Sequence, residues 1–438
     1  MTNFLNVKIK LLRFIIFLSF IAIWLSVSTK FNDLLIFHNN KDLDLYGLIN
    51  FLRHSSVYII LLFSIIIILK KQIKINNLSK ILILYFVFQC IGLFFTSNSI
   101  ENISFVISSI SFILLTVLIG HYFESTEYKL IVLIMTILII IVTILSFLPN
   151  LKSFILGQAS IYGASYSEGI FFLNKESPRS SGIARSLLVL FLLNHFYKKS
   201  YRSKSLFVAT NIIILTLIIL NQSRLIIFLT ILSILLISLN EKKSYFVDFV
   251  KKFLFYILIP LILFISFGLI HSKNFTNLKI KKYENLNYSK DKIEKAKKMK
   301  NSYIRKIELD NFSSGRLQDW KSLSNKFQSK NILFGYGSLG DRYLINQSAS
   351  NGLIYAMVSS GIIGTIFFII SSSLIFFRII KKLFFYTNES SFQAKILSII
   401  ILTILLRSIL ETSYAVFGLD FLILYTSIKI LQKSKIDD

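Results

Sequence analysis

FSSGRLQDWKSLSNKFQSKNILFGYGSLGDRYLINQSASNGLIYAMVSSGIIG, residues 312–364, runs from a polar, basic segment through a glycine-rich turn into an apolar helix. The apolar part continues from residue 351 to residue 377. A helix needs about 20 mostly apolar residues to cross the hydrocarbon core of a bilayer. This stretch therefore reads as a long water-facing loop that leads into a membrane span, and it sets the pattern for the rest of the chain.

Outward from it, apolar runs broken by short Lys-rich loops recur at 11–28, 55–69, 80–96, 103–120, 129–148, 183–197, 206–222, 225–239, 253–271, 396–411 and 414–430. Barrel strands alternate over about ten residues, and these runs do not. The chain is 54% hydrophobic with a mean hydropathy of +0.67, which fits the same class. The expectation is an all-α polytopic membrane protein with about 12 transmembrane helices. Residues 1–438 read as one integral membrane domain, with 272–350 as a long loop between spans nine and ten. Lys8, Lys10 and Arg13 ahead of the first run, with Ser26-Val27-Ser28 behind it, mimic a signal peptide. The many later spans favour an uncleaved first helix.

Charge threads the spans. Lys70, Lys71, Lys74 and Lys80 share one short loop, Lys198, Lys199, Arg202 and Lys204 a second, and Arg378, Lys381 and Lys382 a third. The positive-inside rule puts such loops in the cytoplasm, together with both termini. Much of the net charge of +27 sits there, so it does not signal nucleic acid. Loops 29–54, 149–182 and 272–350 then face outwards. The last holds 17 Lys and Arg against 7 Asp and Glu. Loops this long escape the rule, and the excess asks for an anionic partner. The one cysteine, Cys90, lies in an apolar run, so disulfides are excluded.

Arginine is placed differently from lysine. Arg53, Arg179, Arg185, Arg224, Arg305, Arg316, Arg342 and Arg407 all fall in outer loops or at outer helix ends. Guanidinium is the better group where a planar, bidentate contact to phosphate or carboxylate is needed. The bland reading is ion pairing with outer-loop acids. Arg179 precedes a helix start behind Pro178 and Gly182, and Arg185 is expected in its first turn, where both can face an anion or snorkel. Arg224 follows Asn221-Gln222-Ser223 with almost no loop, a depth at which charge usually faces a polar cavity.

Within 272–350, residues 289–307 are basic, with apolar residues at helical spacing. They read either as a helix lying on the bilayer or as a solvated one. Ser313 or Ser314 can cap a helix with Leu317, Trp320, Leu323 and Phe327 on one face and Arg316 in its first turn. Trp320 packs there or stacks on a sugar. Gly335, Tyr336, Gly337 and Gly340 form a turn that can point backbone N–H groups at phosphate. After Asn351, the small residues Ala356, Ser359, Ser360, Gly361 and Gly364 suit close helix packing. Arg407 and Glu411 are spaced four apart on the expected eleventh span and can pair there. Asp42 and Asp44 make a thin metal motif, and the five histidines show no ligand spacing.

Four pieces in order resemble the O-antigen polymerase (Wzy) and O-antigen ligase superfamily of bacterial inner-membrane glycosyltransferases. They are residues 178–185, Ser223-Arg224, Gly315-Arg316…Trp320 with Leu333-Phe334-Gly335-Tyr336-Gly337, and Ser350-Asn351…Gly361-Ile362-Ile363-Gly364. The resemblance implies a GT-C-like fold and an undecaprenyl-diphosphate-linked oligosaccharide as substrate at the periplasmic face. It also allows a chain-length regulator as partner. Ligases of the superfamily usually carry a histidine directly before the asparagine matching Asn351. Here that residue is Ser350, which favours the polymerase branch. Ligation to lipid A-core and flipping of a lipid-linked oligosaccharide are the alternatives. Departing diphosphate gathers negative charge that Arg179, Arg185, Arg224 and Arg316, with Gly335 and Gly337, would hold, so no metal or other cofactor is called for. Trp320, Tyr336, Ser350 and Asn351 would face the glycan. Candidate bases for the acceptor hydroxyl are Glu411, Asp341 and Glu168, in falling order.

Overall fold

The computed structural model describes residues 2–27, 45–96, 102–155, 180–221, 223–240, 250, 254–263, 265–266, 316–327, 331–385 and 391–433. They fall into two compact units, residues 1–135 with 313–438, and residues 136–312. Each of the twelve apolar runs carries helix, and no strand occurs among the described residues. Asn77–Phe94, Ile103–Tyr122, Glu127–Ile144 and Gly352–Phe384 contain stretches long and apolar enough to cross a membrane. Shorter apolar helices add Ser181–Phe196, Lys204–Leu220, Arg224–Leu239 and Leu254–Leu263. The chain is an all-α, multi-pass membrane protein.

In the first unit, α1 (Thr2–Val27), α2 (Leu45–Lys71), α3 (Asn77–Phe94) and α4 (Ile103–Tyr122) come first, followed by the start of α5 (Ser125–Ile155). The second unit holds α6 (Ser180–Phe196), α7 (Lys204–Leu220), α8 (Arg224–Asn240) and the helical turns Leu254–Leu263. The first unit resumes with α9 (Arg316–Lys326), α10 (Gly340–Ile345), α11 (Gly352–Phe385), α12 (Ser391–Arg407), a short 3-10 turn Ser413–Ala415, and α13 (Leu419–Lys433).

The core of the first unit is aromatic. Phe112 on α4 meets Phe20 and Phe421 at ring distances of 6.0 and 6.1 Å, and Phe86 meets Phe421 edge-on at 5.4 Å. Ser108, Ser109 and Ser111 on α4 turn their hydroxyls back to the carbonyls of Ser104, Phe105 and Ile107. Polar atoms inside the bundle are thus satisfied locally, and the small side chains allow close helix approach.

Groups expected on one side of the membrane meet in this unit. Arg13 pairs with Glu124 and Glu127 at 3.0 and 3.1 Å, and Asn76 donates to Gln432 at 3.1 Å. Thr96, expected on the other side, donates to the Tyr336 carbonyl at 3.3 Å.

Several helices run past or stop short of the expected bounds, and three of the differences have a local cause. The short run 55–69 belongs to a helix that begins at Leu45, inside the expected outer loop 29–54. Its first turns, residues 45–52, are largely apolar and contain no proline to stop a helix; Arg53, His54, Ser55 and Ser56 interrupt the apolar run behind them. In the run 253–271, Leu254–Leu258 is a π-turn. Pro260 lacks an N–H and its ring crowds the carbonyl of Tyr256, so the turn ahead of it widens. The run 396–411 ends as a helix at Arg407, four residues short of Glu411.

The feature that positions everything near α11 is a break within it. Gly361 leaves the helical region at φ 63°, ψ −169°. A broken helix exposes carbonyls and amides that bilayer interior cannot satisfy. Residues 332–337 do so instead. Tyr336 N donates to Val358 O at 2.7 Å, Gly337 N to Ser359 O at 2.9 Å, and Ile362 N to Ile332 O at 2.9 Å. The approach is backbone on backbone, and side chains have no room. A Cβ on Gly361 would lie 2.2 Å from the Leu333 carbonyl oxygen, and one on Gly335 2.6 Å from Gly361 N. Gly92 of α3 closes the other side, where a Cβ would sit 2.6 Å from Gly337 N.

Gly361→Ala adds both a positive-φ strain and a backbone clash, and is expected to cost at least about 2 kcal/mol. The measurement is the apparent melting temperature in detergent by fluorescence-detected size exclusion. Gly120→Ala, whose Cβ would meet nothing within 4 Å, should leave that temperature unchanged.

Candidate active site

The α9 helix brings Arg316 to the cluster. Its anchor is the face carrying Trp320, Leu323 and Phe327. Leu323 is buried, Trp320 Nε1 donates to Ala349 O at 2.7 Å, and Phe327 lies 5.7 Å from the Tyr336 ring. Leu317, expected on the same face, is exposed. The caps expected from Ser313 or Ser314 lie outside the described residues.

Asp341 holds the loop under α9. It is 1% exposed, and its two carboxylate oxygens accept the amides of Arg342 at 2.9 Å and Ala349 at 2.7 Å. Burial pushes this carboxyl above the usual carboxylate range, while the amides of Ala349 and Arg342 and the Arg342 charge pull it back. Both oxygens of this candidate base accept backbone amides, which ties the side chain to its own loop. Tyr336 is buried as well, and its hydroxyl reaches Lys326 O at 3.4 Å.

The glycine turn also differs from expectation. Gly335 N donates to Asn331 O, Tyr336 N to Val358 O, Gly337 N to Ser359 O, Gly340 N to Gly337 O, and Leu339 N to the Tyr355 hydroxyl. These amides are taken up inside the chain and do not face a phosphate. Gly335 admits the backbone of α11 and Gly337 admits Leu93 of α3, a use that sequence spacing alone does not distinguish from an anion nest.

Asn351 caps α11. Its Oδ1 accepts from Leu353 N at 2.8 Å and Ile354 N at 2.9 Å, and its Nδ2 donates to Ile409 O at 2.7 Å. With Gly352 N donating to Ser408 O at 2.7 Å, the foot of α11 is tied to the end of α12. Asn351 thus has three of its four amide hydrogen-bond positions engaged within the chain, where a glycan contact was expected. Ser350 is buried at φ 50° and donates to the Ser348 carbonyl at 3.4 Å.

The charged pairs are the main correction. Arg407 does not pair with Glu411. Helix α12 stops at Arg407, so the two never share a helix face. Arg407 Nη1 instead donates to Asp420 Oδ2, which also accepts from Ser413 Oγ at 2.7 Å. Arg407 and Asp420 are both buried. They fix the turn between α12 and the 3-10 turn, and that turn carries Glu411. Glu411 Oε1 in its place accepts from Arg316 Nη2 at 3.2 Å, across 95 positions of sequence. Side-chain exposure is 24% for Arg316 and 14% for Glu411. The result is a cation and a carboxylate near the foot of α11, both mostly covered and each keeping part of its side chain exposed.

Asp420, the partner of Arg407, is the residue near the candidate site that the sequence does not single out. An acid in the first turn of an apolar helix is the available signal, since an intramembrane charge implies a partner.

The remaining arginines are described in the second unit by themselves. Helix α6 starts at Ser180, which places Arg185 in its second turn and Gly182 inside the helix. Arg224 is the first residue of α8, half-buried behind Asn221, whose Nδ2 donates to Leu217 O at 2.8 Å. Arg179, Glu168, Asp42, Asp44 and the basic segment 289–307 lie outside the described residues.

Asp420→Ala would leave the Arg407 guanidinium buried and uncompensated, at a cost of about 3–5 kcal/mol. It should lower the apparent melting temperature in detergent. Replacing both residues by leucine should recover much of that loss. Equal melting temperatures for Asp420→Ala and the parent would show the pair to be unimportant to the turn.

Residues 209–369 match the family model described as O-Antigen ligase. No curated protein and no solved structure matches the chain. The matched range contains Arg224, Arg316, the glycine turn, Asn351 and the break at Gly361, while Arg185, Arg407 and Glu411 lie beyond it.

Proposed function

We propose that this chain, a member of the O-antigen polymerase and ligase superfamily, is a polysaccharide polymerase. It transfers a growing glycan from undecaprenyl diphosphate to the non-reducing end of another lipid-linked repeat unit at the periplasmic face. The observation that carries the proposal is the Arg316–Glu411 pair. One guanidinium and one carboxylate, from distant parts of the chain, sit together at the foot of the helix that follows the long loop.

The chemistry needs both. The acceptor hydroxyl attacks the anomeric carbon of the donor glycan. A new C–O bond forms there, and the bond from that carbon to the diphosphate oxygen breaks. Charge grows on the leaving diphosphate, and a preorganised guanidinium stabilises it more in the transition state than in the ground state. The hydroxyl proton passes to Glu411 as general base. Arg179, Arg185 and Arg224 are proposed as further diphosphate contacts, and Trp320 as a packing wall for the glycan. The proposal keeps about 12 spans in a GT-C-like arrangement, an inner-membrane location with both termini cytoplasmic, and a chain-length regulator as partner.

Polymerase is preferred to ligase because Ser350 stands where the ligases of the resemblance carry histidine. That serine is buried and bonded within its own turn. The ligase reading is favoured by the description of the matching family model.

A deletion strain separates the two. Loss of a polymerase leaves surface lipid with single-repeat caps, whereas loss of a ligase accumulates lipid-linked polymer. Arg316→Ala should lower turnover by about 10²–10³ and remove long chains from a gel of surface glycans, with the protein still present in the membrane. Normal chain length in that variant would overturn the assignment of Arg316.

A further inference from the structure

Among the described residues, Glu411 has one cation. The arginine nearest in sequence, Arg407, is held by Asp420, with Ser413 bonded to the same carboxylate oxygen. That arrangement removes a second cation that would otherwise neutralise Glu411. The turn bearing Glu411 is further fixed by Asn351 Nδ2 on Ile409 O and Gly352 N on Ser408 O. Glu411 is therefore set at Arg316 by the fold and does not wander as a surface pair would.

The contact itself is light. One Nη donor meets one carboxylate oxygen at 3.2 Å, whereas a full fork would make two parallel bonds. Arg316 has five N–H donors in all, so most of its fork is not used by Glu411. Both side chains are partly open to solvent, at 24% and 14%. A diphosphate brings more charge and more acceptor oxygens than a single carboxylate, and competes well for such a guanidinium.

We infer that Glu411 is the resident counter-ion of Arg316, and that a polyprenyl diphosphate displaces it. This inference rests on the proposed function and adds an order of events to it. Before a donor binds, Glu411 holds the guanidinium in place and its charge is balanced by it. Once the diphosphate takes Arg316, the carboxylate loses its cation and becomes a better proton acceptor. The base is then released only when the donor is bound, which couples acceptor activation to donor occupancy.

A competing counter-ion and a purely structural partner predict opposite signs. Glu411→Gln keeps the shape and removes the charge. If Glu411 competes, the purified full chain in nanodiscs binds undecaprenyl diphosphate about five- to tenfold more tightly as Glu411→Gln, while glycan transfer falls. Glu411→Ala should show the same direction, and both variants should melt within a few degrees of the parent. Arg316→Gln should bind weakly with or without Glu411→Gln. Unchanged or weaker diphosphate binding in both Glu411 variants would overturn the exchange. The function reading fails separately, if the parent chain binds undecaprenyl diphosphate but forms no glycosidic bond. Undecaprenyl monophosphate serves as the second probe. A gain as large for the monophosphate as for the diphosphate would overturn the diphosphate assignment.

Discussion

The pairing of residues 332–337 with the broken backbone at Gly361 is the constraint on which the rest of the first unit depends. A helix interrupted inside a bundle must find partners for its freed carbonyls and amides, because no water is there to take them. Here the partner is the chain just before the helix, folded back on it. Three backbone bonds and a stack of glycines bring the two strands of chain to near contact. That fixes where α9 and α10 lie, and with them Arg316. The small residues are therefore required by geometry, and their chemistry with ligand is secondary.

Two charged pairs sit close to this junction and do different work. Arg407 and Asp420 are buried together, and Asp420 also accepts the Ser413 hydroxyl. An enclosed pair contributes little net stability over apolar residues but fixes one arrangement against its alternatives. Arg316 and Glu411 are partly open, and their single contact leaves donors free. The first pair holds a turn still, and the second presents charge from it.

Much of the fold was legible in the sequence, because long apolar runs permit little except helix in a bilayer. All twelve runs carry helix. The site was legible only as a neighbourhood. Arg316 and Glu411 were both singled out, yet Glu411 was given to Arg407. Spacing of four suggests a pair only while the helix continues, and nothing in a run of apolar residues announces that it stops at Arg407. The glycine turn was misread for a related reason. Glycines that cradle an anion and glycines that admit another backbone share one pattern. The difference lies in which partner the amides meet, and that is a tertiary fact. Asn351 and Asp341 were likewise read for chemistry, when a short polar side chain beside a helix start is also what capping requires.

The tie between the foot of α11 and the end of α12 has an electrostatic consequence. The start of a helix carries a partial positive charge, and its end a partial negative one. Here the two poles meet directly, through Gly352 N on Ser408 O and Asn351 Nδ2 on Ile409 O. The positive pole of α11 is therefore spent on its neighbour, and Asn351 Oδ1 covers the next two amides. A helix start that is free can hold phosphate by fixed amides; this one has no such capacity left. Under the proposed function, anion recognition at this end falls to side-chain guanidinium, which can change partners without moving the backbone that carries it.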